Sequence, residues 1–230
     1  HTNSMEMYQF LERLGLEPNV IGKDGKNPLH NLAYRSKDKE IFQFFLEKGV
    51  DVNLQDIDGN TPFMNAARSN SFEILQLLQP YVNDINTTNK DGRSALTYAF
   101  SRNSVESVAF LIEHKADVNV KDKDGNSLAY YLLNTFNDPK EFEAKLAILK
   151  EHQVALDETQ NNSNTLLHEA VKTENLDLIK RVMDFDIDVN AKNNEGNTAL
   201  HLAAMKAKDH EILKYLIENG ADKTLKTDFE

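Results

Sequence analysis

Seven histidines, several close carboxylate pairs and nine glycines are the parts of this chain that could serve chemistry directly. A metal site needs ligands clustered at fixed local spacing, because several side chains must reach one ion at once. The histidines do not cluster in this way, and His168-Glu169 has no second histidine four residues on, so it is not the helical zinc motif. Asp56/Asp58 and Asp122/Asp124 supply half the ligands of a calcium loop, but the pattern that closes on a glutamate is missing. Short Asp/Asn runs beside a glycine are better explained as tight turns. The glycines are dispersed rather than gathered into a phosphate cradle, and no Gly-x-Ser-x-Gly elbow presents a nucleophile. With no cysteine there is no disulfide framework and no thiolate chemistry. Catalysis needs a constellation, and none is present, so the chain reads as non-catalytic, with no metal and no cofactor.

The elements that carry these residues recur. Aligned on the turn, Gly25, Gly59, Gly92, Gly125, Ser163 and Gly196 are separated by 34, 33, 33, 38 and 33 residues. After each turn comes one tetrapeptide: Asn27-Pro28-Leu29-His30, Thr61-Pro62-Phe63-Met64, Ser94-Ala95-Leu96-Thr97, Ser127-Leu128-Ala129-Tyr130, Thr165-Leu166-Leu167-His168 and Thr198-Ala199-Leu200-His201. Its first residue can cap a helix with a hydroxyl or amide, and the small residues that follow let another helix come close. A second apolar helix is expected in each unit, as in Ile74–Leu78 and Ile212–Ile217, before a tail such as Gly49-Val50-Asp51-Val52-Asn53.

Period, turn, tetrapeptide and tail together resemble the ankyrin repeat family over about residues 5–228. The resemblance implies an all-α fold, an ankyrin-repeat solenoid of helix-turn-helix units joined by β-turn or hairpin loops, and a single domain over 1–230. The units are a half-repeat cap at 5–22 and repeats at 23–55, 56–88, 89–121, 122–160, 161–192 and 193–228. In the cap, Met7, Tyr8, Phe10, Leu11 and Leu14 form the apolar stripe, and Gly15 ends the helix. The first repeat should place helices near 28–34 and 39–48, and Pro80 should terminate or bend the second helix of the next near its end. The fourth repeat has five extra residues between its helices, and Asp138-Pro139 predicts a helix over 139–152. Its junction with the fifth repeat, where Ser163 replaces glycine, is the expected kink. The sixth has one extra residue near Lys208-Asp209, and Leu216 and Ile217 are expected to face the uncovered end of the stack. His30, His168 and His201 share the fourth tetrapeptide position, where the family's imidazole ties neighbouring turns together.

The net charge of −11 lies mostly in the C-terminal half and argues against a grip on phosphates, so no nucleic-acid partner is expected. No apolar run approaches the roughly 18 residues of a transmembrane span, and no membrane partner is expected. The lack of cysteine fits a cytoplasmic home and is compatible with a periplasmic or secreted one. The first residue is His1 rather than Met, as an excised domain or a processed product would be. A monomer is expected.

The resemblance also implies a protein partner held on the concave face formed by turn tips and first helices. The residues matching that face include Tyr34, Arg68, Phe100, Arg102, Leu133 and Met205, of the aromatic, arginine and large apolar types that anchor interfaces. Phe100 stands where the second and sixth repeats carry Ala67 and Ala204, so it either contacts a partner or fills a gap left by the irregular fourth repeat, and Leu133 has the same two readings. The expected function is a non-catalytic protein-interaction module. The alternative is a targeting or regulatory arm of a larger protein.

Overall fold

The computed structural model describes residues 4–15, 17–69, 71–102, 104–206 and 210–228, and among them every regular element is helical. The chain forms two compact units, His1–Val120 and Lys121–Glu230. The first holds α1 (Ser4–Arg13) and three helix pairs: α2 (Pro28–Arg35) with α3 (Lys39–Glu47), α4 (Pro62–Arg68) with α5 (Phe72–Leu78), and α6 (Ala95–Arg102) with α7 (Val105–Glu113). The second pairs α8 (Leu128–Leu132) with α9 (Pro139–Glu151), α10 (Leu166–Lys172) with α11 (Leu176–Met183), and α12 (Ala199–Lys206) with α13 (His210–Glu218). First helices pack on first helices, α2 on α4 on α6 and α8 on α10 on α12, through buried Ala33, Ala66, Ala67, Ala99, Ala170 and Ala203. Residues this small let helix axes approach closely.

Local chemistry sets where each helix starts and stops. The Asn27 side chain accepts the His30 N–H at 3.3 Å while His30 Nδ1 accepts the Asn27 N–H at 3.1 Å. The imidazole thus does what glutamate does in the usual reciprocal cap, and Thr165 with His168 repeats it. Pro80 acts as expected: α5 ends at Leu78 and a single 3-10 turn, Gln79–Tyr81, follows. In the fourth repeat the first helix is only five residues long and gives way to the 3-10 turn Leu133–Thr135, which absorbs part of the insertion. Asp138 then caps α9 by accepting the Lys140 and Glu141 N–H groups.

The turns are stapled to one another by backbone. Asp56 N–H donates to Asn60 O across its own turn at 2.9 Å, and Ile57 N–H donates to Asp24 O of the preceding turn at 3.0 Å. Lys90 to Asp58, Asn161 to Asp124 and Asn194 to Asn162 repeat the link between turns. The carboxylate pairs are turn devices: Asp56 Oδ1 accepts the Asp58 and Asn60 N–H groups, and Asp122 Oδ1 those of Asp124 and Asn126. Gly59 has no room for a Cβ, which would lie 2.9 Å from Lys90 N, and its φ of +81° is one that side chains resist. Ser163 accepts the same left-handed backbone at φ 63° and donates its hydroxyl to Asn194 Oδ1 at 2.6 Å.

Several expectations need correction. Phe10 and Leu14 are exposed, and only Tyr8 of the described stripe packs inward, edge-on to Phe45 at 4.8 Å; the side chains of Met7 and Leu11 lie outside the described residues. The two units divide at Val120/Lys121, between the third and fourth repeats, and the four–five junction lies inside the second unit. That junction is held by the Asn161–Asp124 backbone bond and by Asn161 Nδ2 donating to Lys123 O. Leu216 is 0% exposed, enclosed within its unit, while Ile217 is 43% exposed. The extra residue near Lys208-Asp209 lies outside the described residues.

Candidate functional site

Rigid turn tips come first, because a binding face is only as well defined as the loops that frame it. His30 Nε2 donates to Asn60 O at 3.0 Å, His168 Nε2 to Asn197 O at 2.9 Å and His201 Nε2 to Leu225 O at 3.0 Å, each reaching the next turn along the chain. Nδ1 of each ring accepts a backbone N–H, which fixes the proton on Nε2. Burial holds the imidazoles of His30 and His168 below their ordinary pKa, with the hydrogen bond to the next turn opposing it. In the fourth repeat a phenol takes over: Tyr130, at the histidine position, donates from its buried hydroxyl toward Asn164 O at 2.6 Å and Glu158 O at 2.9 Å. Asn89 Nδ2 to Asn60 Oδ1 and Asn193 Nδ2 to Asn164 Oδ1, both 2.9 Å, add a side-chain rung between turns.

On the first-helix face of the first unit, Arg68 is the centre. Its guanidinium lies 5.9 Å from the Tyr34 ring centre and 5.6 Å from that of Tyr98, and Nη1 reaches the Tyr34 hydroxyl at 3.4 Å. Both separations are within cation–π range. Tyr98 is buried and anchored by its hydroxyl to Asn60 Oδ1 at 3.0 Å, so Arg68 rests on a fixed platform. Tyr34 is 41% exposed and Arg68 is exposed.

The remaining expected contact residues scatter. Phe100 is 0% exposed: its ring is enclosed, so it is not a surface contact. The apolar ring gains more from enclosure than from a solvent-facing rotamer. Arg102 ends α6, exposed and with no side-chain hydrogen bond or ion pair among the described residues. In the second unit Met205 is 67% exposed near the end of α12, and Leu133 is half-buried on the wall of a cavity of about 260 Å³.

That cavity mixes polar and apolar walls, with Asn126, Tyr131, Asn134, Gln160 and Glu169 among its lining. Asp122 stands behind it. Burial by itself would raise the Asp122 pKa, but hydrogen bonds from Tyr131, Asn126 and two backbone N–H groups outweigh burial and hold the carboxyl below the usual range.

Sequence reading passed over Tyr98, Tyr130 and Lys145. Tyr130 had a signal, an aromatic hydroxyl at the histidine position of the tetrapeptide. Tyr98 sits one residue past that position, where pattern alone does not say what it would support. Lys145 is enclosed on α9 with its ammonium 3.6 Å from Glu141, and burial lowers its pKa. Among the described residues no group of histidines and carboxylates could hold a metal ion, and no helix is long and apolar enough to cross a membrane.

Comparison with known proteins places this geometry. A chain in the complex of the Bdellovibrio bacteriovorus predatory endopeptidase Bd0816 with immunity protein Bd3460 superposes with a TM-score of 0.67 at 22% identity, over 86% of this chain and 99% of that one, which is a likeness of fold. A putative ankyrin repeat protein of Fowlpox virus, FPV219, is 39% identical over 61 residues, 26% of this chain and 14% of its own length. One from Acanthamoeba polyphaga mimivirus, L271, is 31% identical over 77 residues, 34% of this chain and 10% of its own. A third, from Rickettsia felis, is 33% identical over 75 residues, 31% of this chain and 33% of its own. The matched stretches therefore span a third or less of these relatives' lengths. The model for ankyrin repeats in three copies matches residues 2–86, 29–122, 63–138 and 123–227, and with the stapled turns and paired helices it shows that the chain belongs to the ankyrin repeat family.

Proposed function

We propose that this chain is a non-catalytic module that holds a protein partner against its turn tips and first helices, with Arg68 and Tyr34 as anchors in the first unit. The family is one of protein-interaction modules, which supports a protein as the occupant. The observation that carries the choice of face is the exposed Arg68 guanidinium braced over Tyr34 and Tyr98. An arginine already ordered on aromatic platforms loses less freedom when it docks, and arginine and tyrosine lead the residue types that dominate interface energy. Arg102, Leu133 and Met205 complete the proposed contacts.

Capture from source-cell lysate with the wild-type chain and with a Tyr34→Ala/Arg68→Ala variant tests this. Loss of two anchors of this kind is expected to weaken a bound partner by about 2 kcal/mol or more, roughly thirtyfold, with helicity unchanged by circular dichroism. Equal capture by two equally folded proteins would remove Arg68 and Tyr34 from the contact.

A second reading, a targeting or regulatory arm of a larger protein, takes support from the relatives, of which the matched stretch is 33% or less. The mass of the native protein in source cells distinguishes the two: a native mass near 26.2 kDa would set this reading aside.

A further inference from the structure

The cavity of the second unit holds two open acceptors, beside the Asn134 amide, which can present either its oxygen or its NH₂. Asp122 is ionised and accepts only, so the Asn126 amide must turn its NH₂ toward it, and Asn126 Nδ2 donates to Asp122 Oδ2 at 2.8 Å. Asn126 Oδ1 then faces Gln160, whose NH₂ donates to it. That chain of orientation leaves Gln160 Oε1 as an acceptor with no partner among the described residues. Glu169 is engaged on one side only. Its Oε1 accepts from Lys172 Nζ at 2.6 Å and Asn164 Nδ2 at 2.9 Å, while Oε2 accepts nothing among the described residues. A carboxylate oxygen and an amide oxygen therefore stand open in a cavity whose walls include the aromatic side chains of Tyr130 and Tyr131.

The volume of about 260 Å³ is below the roughly 300–1,000 Å³ of sites for drug-sized ligands and suits a single side chain. Open acceptors repel an anion. An ammonium offers a compact point charge like that of Lys172, already present on Glu169, whereas a guanidinium presents a planar fork of donors that can engage two oxygens and lie against a phenol ring. The surrounding field agrees in sign: residues 121–230 carry 21 acidic against 14 basic side chains, which draws basic segments toward this unit.

We infer that this cavity is a pocket for one arginine side chain of a basic protein segment, with the Glu169 carboxylate and Gln160 Oε1 as its acceptors. The source of the arginine rests on the partner-binding reading above; the pocket's chemistry does not.

The test is a titration of the 15N-labelled full chain with N-acetyl-arginine amide, followed through backbone and Asn/Gln side-chain amides, beside N-acetyl-citrulline amide, which keeps the shape and lacks the charge. Saturable shifts at Asn134 and Gln160 with the arginine compound, absent with citrulline, are expected. Glu169→Gln should weaken binding about tenfold, the effect of losing one charge-assisted hydrogen bond, because its new NH₂ faces the guanidinium as a donor. Should Glu169→Gln fail to fold, Gln160→Met removes the other acceptor and should weaken binding in the same direction. Absent shifts, equal shifts with citrulline, or binding untouched by the folded variant would overturn the pocket. Because the probe is a small molecule, a negative titration beside an intact Arg68-dependent capture rejects the pocket alone, and a positive titration with no captured protein rejects the partner reading alone.

Discussion

At the scale of single residues, the buried imidazoles carry a pH dependence that can be worked out in sign. Burial lowers the folded-state pKa of His30 and His168 beneath the ordinary 6.5, so the unfolded chain takes up protons first as pH falls. Stability is full above that value and declines below it toward the depressed folded pKa, by at most about 1.4 kcal/mol per pH unit for each ring. Urea midpoints should be level between pH 8 and 7 and fall from about 6.5 downward; a level line to pH 5 would mean that these rings are not held neutral. Ser163 offers a second test at this scale. Its φ of 63° is strained for a side chain, and the exposed bond to Asn194 offsets only part of that strain. Ser163→Gly should raise stability by about 1 kcal/mol, or Tm by about 2–4 °C, seen in a thermal melt.

Among the elements, the first helices are legible in the sequence wherever their caps are local. Asn27, Thr61 and Thr165 sit one residue before their helices, and the proline that follows Asn27 and Thr61 fixes φ in advance, so α2, α4 and α10 begin where the tetrapeptide places them. What pattern cannot supply is the environment a neighbouring element creates. Phe100 stands at a position that is small in other repeats, and only the packed unit decides that its ring turns inward. Lys145 reads as a surface residue until the packing around α9 encloses it. The open acceptor of Gln160 follows from an orientation that begins at Asp122, far away in sequence, and that of Glu169 from two donors that both settle on its other oxygen. Because Phe100 is a core ring, Phe100→Ala should lower unfolding free energy by about 3–5 kcal/mol in urea titration. A loss below about 1 kcal/mol would return it to the surface.

For the whole molecule, six turns and six helix pairs among the described residues repeat one solution, and within each unit first helices pack on first helices. The sequence period announces this clearly because turn, cap and tail recur together. The division at Val120/Lys121 is not announced, since the tail at Ala116–Asn119 and the turn at Gly125 on either side of it keep the regular spacing, and the extra residues of the fourth repeat come only later, between its helices. On the proposed reading, Tyr34, Arg68, Arg102, Leu133 and Met205 are the side chains that would select the partner. Amide hydrogen exchange of the chain with and without its captured partner tests that face most directly. Slowed exchange in 28–35 and 62–68 and at the turn tips 56–60 and 89–93, with α3, α5 and α7 unchanged, is the result expected of first-helix docking. Protection confined to α3, α5 and α7 would place the partner on the opposite helices and contradict it.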